Sequence, residues 1–332
     1  VLVCTYGLLQ SESQLFSEKK FTTIVLDEAQ AIKNNTAKRS KAAMKLQGDF
    51  KIITTGTPIE NHLGELWNLF RFINPGLLGS SKWFRNRFGL PIEKEKDQET
   101  QEQLQLLIKP FILRRNKKDV LKELPPKTEV VLSVQLPEKE KAFYEALRRD
   151  ALAHLKNNGE VNAGTKHLKV LAQLMRLRRA CCSPKLVHPE TDIKGAKLEL
   201  FGKTILEIIQ NGHKALVFSQ FVGHLRIIEE YVIEQGIEYH YLDGQTPTKK
   251  RQERIDAFQS GLGKLFLISL KAGGTGLNLT AADYVIHMDP WWNPAVEDQA
   301  SDRAHRIGQT KPVTVYRLIT EDTIEEKIIK LH

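Results

Sequence analysis

Asp27 and Glu28 follow directly on an apolar run, TTIVL, at residues 22–26. In open α/β sheets, ligands gather beyond the carboxyl ends of strands. An aspartate there can hold Mg2+, usually through water, because that ion keeps much of its hydration shell. The adjacent glutamate can orient or deprotonate an attacking water in phosphoryl transfer. The plainer alternative is a pair of solvated acids favoured by a helix dipole. A second run, FKIITTGTP (50–58), delivers Thr54, Thr55, Gly56 and Thr57 to a turn. Small hydroxyl residues there either contact the Asp-Glu loop and move with it, or simply end a strand.

Two later segments suit the same chemistry. KAGGTGLNL (271–279) follows the run LFLIS, and its three glycines expose backbone N–H groups to phosphate oxygens. Its spacing is not the G-x-x-x-x-G-K-[ST] of a phosphate loop. In EDQASDRAHRIGQT (297–310), a helical reading puts Gln299, Arg303 and Arg306 at i, i+4 and i+7, on one face. That is either a solvated amphipathic face or a pair of planar, permanently charged donors for a phosphoryl transition state. The turn DPWWNP (289–294) reads as packed core or as a tryptophan against a nucleic-acid backbone.

The elements that must carry these residues alternate. Strand FTTIVL, helix NTAKRSKAAMKLQG closed by Gly48 and strand FKIITT predict a parallel sheet with crossover helices. LGELWNLFRFI places Leu63, Leu66, Leu69 or Phe70, and Ile73 on one helical face. Residues 93–103 read as a solvated loop or helix start, and Pro125-Pro126 must interrupt any helix. TEVVLSVQL (128–136) reads as a strand closing the first lobe, and 137–156 and 166–182 as helices. Strands at 215–218, 237–242, 264–269, 284–288 and 313–318, separated by helices, predict a second α/β lobe.

Composition narrows the class. At 41% hydrophobic and 27% charged residues, disordered, collagen-like and coiled-coil chains are excluded. No apolar run approaches the roughly 18 residues that span a bilayer, and no secretory leader opens the chain. Cys4, Cys181 and Cys182 cannot build a disulfide framework and read as reduced thiols. A net charge of +9 suits a polyanionic partner without requiring one. Val1 opens an apolar strand already under way and IEEKIIKLH stops within a helical pattern, so the chain reads as a fragment at both ends.

In order, VCTYG (3–7), LDEAQAIKN (26–34), TTGTPIEN (54–61), FILRRNKKDV (111–120), VFSQF (217–221), YLDGQT (241–246), SLKAGGTGLNL (269–279), DPWWNP (289–294) and DQASDRAHRIGQ (298–309) resemble the Swi/Snf-type ATPases, helicase-like members of helicase superfamily two. The resemblance spans nearly the whole chain, and DEAQ in place of DEAH points to the bacterial or archaeal branch. It implies two RecA-like lobes clasping ATP between them, with helical insertions and an incomplete first lobe. Residues 1–62 would be the C-terminal part of lobe one, 63–127 a helical insertion and linking segment, and 128–136 the closing strand of lobe one. Residues 137–196 would be the insertion of lobe two, 197–320 lobe two itself, and 321–332 the start of a C-terminal brace helix.

The resemblance also assigns roles. Asp27 would serve Mg2+ through water and Glu28 the attacking water. Arg303 and Arg306 would be arginine fingers supported by Gln299, and Gly276 and Asn278 would lie at the nucleotide. Thr54, Thr55, Gly56 and Thr57 would couple ATP state to DNA grip. Backbone contacts to DNA would come from Thr5, Tyr6, Ser219, Gln220, Lys271, Gly273 and Gly274. Arg114, Arg115 and Lys117 would touch DNA or brace the lobes. The expected whole is a monomeric, cytoplasmic, nucleoid-associated translocase on double-stranded DNA, remodelling or displacing a bound protein complex or RNA polymerase.

One departure is serious. The family's phosphate loop and adenine-contacting segment lie before VCTYG, and no substitute is evident. The chain by itself is therefore expected to hydrolyse ATP poorly or not at all. Alternatives are a non-catalytic DNA- or partner-binding piece, and an RNA-directed or RNA polymerase-associated ATPase of the same superfamily.

Overall fold

The computed structural model describes all residues except 60, 157–162, 274–275 and 332, with the backbone alone at 118, 155–156 and 163–166. The chain folds as two compact units, Val1–Arg115 and Asn116–His332.

Unit one is built on two parallel strands, β1 (Lys20–Leu26) and β2 (Gln47–Ile53), paired from Lys20↔Gln47 to Leu26↔Ile53. Period-two alternation turns Ile24 and Leu26 inward and leaves Val25, Phe50 and Ile52 exposed. The inward face packs on α1 (Tyr6–Ser11), α2 (Lys38–Met44) and α3 (Leu63–Ile73) through Leu9, Ala43, Leu69 and Phe72. The amphipathic face expected over 63–73 is present, with Leu66, Leu69, Phe70 and Phe72 buried. Buried Asn68 fixes α3 by donating to Ile32 O at 2.6 Å and Ser40 Oγ at 2.8 Å.

Gly48 does not close a helix. α2 ends at Met44, and Gly48 lies within β2, where a Cβ would stand 2.7 Å from the Ile24 side chain. The polar stretch at 93–103 contains the start of α4 (Gln98–Ile108), capped by Asp97, which accepts from the Glu99 and Thr100 amides.

Unit two holds a six-stranded, wholly parallel sheet in the order β3-β8-β7-β4-β6-β5. Its strands are β3 (Lys127–Val134), β4 (Ala215–Ser219), β5 (Tyr239–Leu242), β6 (Leu265–Ser269), β7 (Tyr284–His287) and β8 (Val313–Thr320). Residues 128–136, expected to close the first lobe, instead begin the edge of this sheet, paired with β8 from Lys127↔Val313 to Val134↔Thr320. Arg317 fastens the pairing by donating to Glu129 at 2.5 Å. Local pattern identifies a strand but not its neighbour, and here the neighbour lies at the far end of the chain.

β4 and β6 are buried along their whole length, which explains why both read as unbroken apolar runs. Fully burying a Leu, Ile or Phe contributes about 1.5–3 kcal/mol, so LFLI at 265–268, with every side chain inaccessible, anchors the unit. One core layer joins the sheet to α7 (Ala196–Gln210) and α8 (Val222–Glu234). The other joins it to α9 (Thr248–Gln259) and α10 (Pro294–Ser301). The long helices α5 (Glu138–Lys156) and α6 (Ala163–Cys182) pack together through Leu147, Leu177 and Ala180. Buried Lys197 donates to Glu325 Oε1 at 2.6 Å, tying α7 to α11 (Ile324–Ile329).

Strand order changes direction at β4. The chain runs outward to β5 and β6 on one side, then crosses to β7 on the other. The carboxyl ends of β4 and β7 therefore form a switch point, where open α/β sheets take their ligands.

Candidate functional site

In unit one, the register that pairs Leu26 with Ile53 brings Asp27 and Thr54 side by side just past the strand ends. Thr54 Oγ1 donates to Asp27 Oδ1 at 2.5 Å, and the Glu28 amide donates to the same oxygen at 3.0 Å. Glu28 adopts left-handed backbone, φ 49°, a conformation costing a non-glycine residue about 1 kcal/mol. Gln30 Nε2 donates to Glu28 Oε2 at 2.6 Å, and Thr55 Oγ1 donates to Gln30 Oε1 at 2.8 Å. Thr57 follows, its amide donating to Thr55 Oγ1 at 3.1 Å, while a Cβ on Gly56 would meet none of the described residues within 4 Å. Both acids are thus bonded, directly or through Gln30, to the threonine loop.

Gln30 and Glu65 carry weight that the residue types alone did not signal. Buried Glu65 accepts from the Asn61 amide at 3.0 Å and from Asn61 Nδ2 at 2.8 Å, with Lys33 Nζ at 3.4 Å. It joins the segment after the acid loop to the segment after the threonine loop.

Thr5 caps α1, its hydroxyl accepting from the Leu8 amide at 3.2 Å. Tyr6 donates its hydroxyl to Asp27 O at 2.8 Å, so it braces the acid loop. Burial, with the charges of Asp27 and Glu28, pushes the Tyr6 pKa up to about 12, keeping that donor proton in place. Arg114 and Arg115 are exposed at the end of unit one.

In unit two, the expected DNA residues separate by depth. Ser219 is buried, its hydroxyl committed to Asp289, while Gln220 is half-buried and Lys271 exposed. Gly273 is buried, and a Cβ there would stand 2.6 Å from the Phe218 ring, so close packing accounts for this glycine. Gly274 lies outside the described residues. Gly276, at φ +49°, and Asn278 are exposed and line a depression of about 560 Å³ shared with Thr248, Arg251 and Gln252.

The single helical face expected for Gln299, Arg303 and Arg306 is absent. α10 stops at Ser301, and the two arginines lie in the turns that follow, Arg303 buried and Arg306 exposed. Buried Gln309 causes the break. Its Nε2 donates to the carbonyls of Thr280, Ala282 and Ala304 at 3.1, 2.8 and 3.1 Å, and Gly308 turns the chain at φ +98°. Arg306 Nη1 points back to Leu277 O at 3.4 Å, in the glycine-rich segment. Gln299 stays half-buried on the helix. Lys117 pairs with Asp302 at 2.6 Å, tethering the linking segment to this same turn.

Two further groupings do not become sites. Donor atoms of buried Cys182, His224 and Asp289 lie within 4.8 Å of one another. Burial pushes the Cys182 thiol well up, and the charge of Asp289 is already matched by Arg178 at 3.8 Å, so we read the three as packing. Gly202-Lys203-Thr204 is the one Gly-Lys-Thr triplet, but it sits in the interior of α7. There Thr204 Oγ1 donates to Leu200 O at 2.9 Å, and a Cβ on Gly202 would collide with the Tyr231 hydroxyl at 2.3 Å. A helix interior offers no unpaired N–H groups to a phosphate. No described helix is long and apolar enough to cross a membrane.

Comparison with known proteins identifies the family. Residues 1–186 match the SNF2-related domain, and residues 196–308 the helicase conserved C-terminal domain. The chain is 41% identical to a putative ATP-dependent helicase/translocase, YwqA, of Bacillus subtilis, covering 99% of this chain and 36% of that protein. It is also 41% identical to an uncharacterized ATP-dependent helicase of Mycoplasma pneumoniae, covering 100% of this chain and 31% of that one. The chain thus spans about a third of the length of these curated relatives. Among solved structures, the Sulfolobus solfataricus SWI2/SNF2 ATPase core in complex with dsDNA is 36% identical over 98% of this chain and 69% of its own, with a TM-score of 0.55. Two α/β units, each with a parallel sheet, acids bonded to a threonine loop past two strand ends, and these matches together establish that the chain belongs to the SNF2 family of helicase-like ATPases.

Proposed function

We propose that the protein is an ATPase stimulated by double-stranded DNA, which tracks along the duplex and remodels or displaces bound protein. The observation that carries this reading is the bonded ladder Asp27–Thr54 and Glu28–Gln30–Thr55. It gives the acids that act on nucleotide a direct mechanical link to the next loop. The Sulfolobus core bound to dsDNA supports duplex DNA as the polymer.

Asp27 suits Mg2+. Thr54 and Glu28 both use Oδ1, leaving Oδ2 of an exposed carboxylate to face a water of the ion. Bound there, magnesium would neutralise phosphate charge. Glu28 would orient the attacking water, with Gln30 holding one of its oxygens. Arg303 and Arg306 would serve the same hydrolysis as guanidinium donors, Gln299 supporting them and Gly276 and Asn278 lying at the nucleotide. Arginine fingers contribute roughly 10³–10⁵ in rate. Exposed Thr5, Lys271, Arg114 and Arg115 and half-buried Gln220 would meet the DNA backbone, while Ser219 and Tyr6 would act by holding the loops that present it.

The test is stimulation of ATP turnover in the full-length protein by duplex DNA, single-stranded DNA and RNA in turn, followed by triplex displacement. Duplex should stimulate most, and the triplex strand should be displaced. Equal stimulation by RNA, or strand separation without displacement, contradicts the reading. A second reading holds for these 332 residues alone, because the single Gly-Lys-Thr is locked in a helix: they bind DNA without hydrolysing ATP.

A further inference from the structure

Arg178, on the inward face of α6, is 1% exposed. Its Nη2 donates to Pro290 O at 2.7 Å and stands 3.8 Å from Asp289 Oδ1. The guanidinium carbon lies 5.3, 5.2 and 5.5 Å from the ring centroids of Phe221, Trp291 and Trp292. Asp289 in turn accepts from the Ser219 hydroxyl and, at 3.2 Å, from the Gln220 amide. Ser219 Oγ also accepts from the Phe221 amide at 3.1 Å. One buried cation therefore clamps the loop after β4 to the loop after β7, at the switch point of the sheet.

The chemistry of the clamp is specific to arginine. Its flat, weakly hydrated guanidinium can face three aromatic rings while a single edge donates to a carbonyl and faces a carboxylate. Lysine is a compact, strongly hydrated point charge that cannot do both. Among the described residues Nε finds no hydrogen-bond partner, so the cation is not placed here to maximise its own hydrogen bonding. Burying a charge is expensive, and an apolar side chain of equal volume would often serve stability as well. What the cation adds is a fixed geometry for the backbone of residues 219–221.

We propose that Arg178 is a positioning residue for duplex DNA: acting through Asp289, it sets the Ser219–Phe221 loop so that the Gln220 side chain meets a backbone phosphate. This rests on the reading of Gln220 as a DNA contact, given above. Arg178 itself touches no DNA.

The experiment measures, in the full-length protein, the duplex concentration that half-saturates ATPase stimulation and the turnover at saturating duplex. Arg178→Lys should raise the half-saturating concentration about tenfold and keep saturated turnover within about twofold. Trp292→Leu, which opens one wall without burying a new charge, should raise it about threefold. Gln220→Ala should raise it alone, and adding Arg178→Lys should raise it no further, as expected for residues acting in series. His213→Ala, which breaks the hydrogen bond to buried Asp283 at the amino ends of β4 and β7, should lower the thermal midpoint and leave half-saturation unmoved. If Arg178→Lys and Trp292→Leu leave half-saturation unchanged while Gln220→Ala raises it, the positioning role is overturned and the DNA contact stands. An additive double variant overturns the positioning role too. If Gln220→Ala has no effect, both fall together.

Discussion

Thr54 donates its hydroxyl to Asp27 Oδ1 across 2.5 Å, joining the first residue beyond β2 to the first residue beyond β1. A charge-assisted hydrogen bond of this kind is worth about 1.5–3 kcal/mol. It ties the acid loop to the threonine loop without any intervening side chain. Thr54→Val in the full-length protein should therefore lower DNA-stimulated turnover about tenfold, while Glu28→Gln should lower it at least about a hundredfold. Duplex binding measured without nucleotide should change little in either. Turnover within about twofold of the parent in Thr54→Val would show that this bond does not couple the loops.

Arg303 and Arg306 differ in depth, and their alanine variants should differ accordingly. Arg306 is exposed, so Arg306→Ala should cost about 10³ in turnover with a thermal midpoint within about 1 °C of the parent. Arg303 is 7% exposed, so Arg303→Ala should lose turnover and also about 3–8 °C in midpoint. Near-normal turnover in Arg306→Ala would remove it from the reaction.

Unit two should be acid-sensitive through histidine. Burial holds His224 down to about 3 and His287 down to about 4, both from 6.5. Below pH 6.5 the unfolded chain takes up protons that the folded one refuses, so stability falls as pH drops towards those values. Asp289 works the other way. Burial raises it to about 6, against the Ser219 hydrogen bond and Arg178, so its protonation favours the folded state between pH 6 and 3.8. At about 1.4 kcal/mol per pKa unit, the two histidines outweigh the aspartate, leaving a net loss of roughly 4 kcal/mol near pH 4. His224→Leu, which also removes two buried ring nitrogens without hydrogen-bond partners among the described residues, should move the acid midpoint followed by circular dichroism down by about one pH unit. An unmoved midpoint would assign acid unfolding to other groups.

Arg114 and Arg115 are exposed, with no ion pair or hydrogen bond to another side chain among the described residues. If both meet phosphates, replacing the pair with alanine should weaken duplex binding for every sequence. It should also reduce the slope of log K against log salt by about two. Weaker binding with an unchanged slope would place them in bracing rather than in DNA contact.

Much of this was legible in residue order. The runs TTIVL and KIITT place two strand ends and their polar loops, and strand period with parallel pairing makes the Asp27–Thr54 meeting follow. The α3 face was equally readable because Leu66, Leu69 and Phe70 recur at helical spacing. What was not legible depended on distant partners. β3 reads as a strand, but only Arg317 and β8 decide which sheet receives it. The arginine segment reads as one helix until Gln309 gathers two carbonyls from residues 280–282 and one from Ala304 and stops it. Ser219 has the residue type of a phosphate contact, yet Asp289 claims its hydroxyl.

The placement of β3 also governs how the chain is made. Glu129 and its partner Arg317 stand 188 positions apart. At a synthesis rate of about 5–20 residues per second, β3 leaves the ribosome roughly 10–40 s before the strand it pairs with exists. During that interval it must stay unpaired, and its exposed valines Val130 and Val131 are open to wrong partners. The polar residues Glu129 and Ser133 on the same strand then act first as guards against misassociation, and only afterwards as anchors for Arg317 and Glu321.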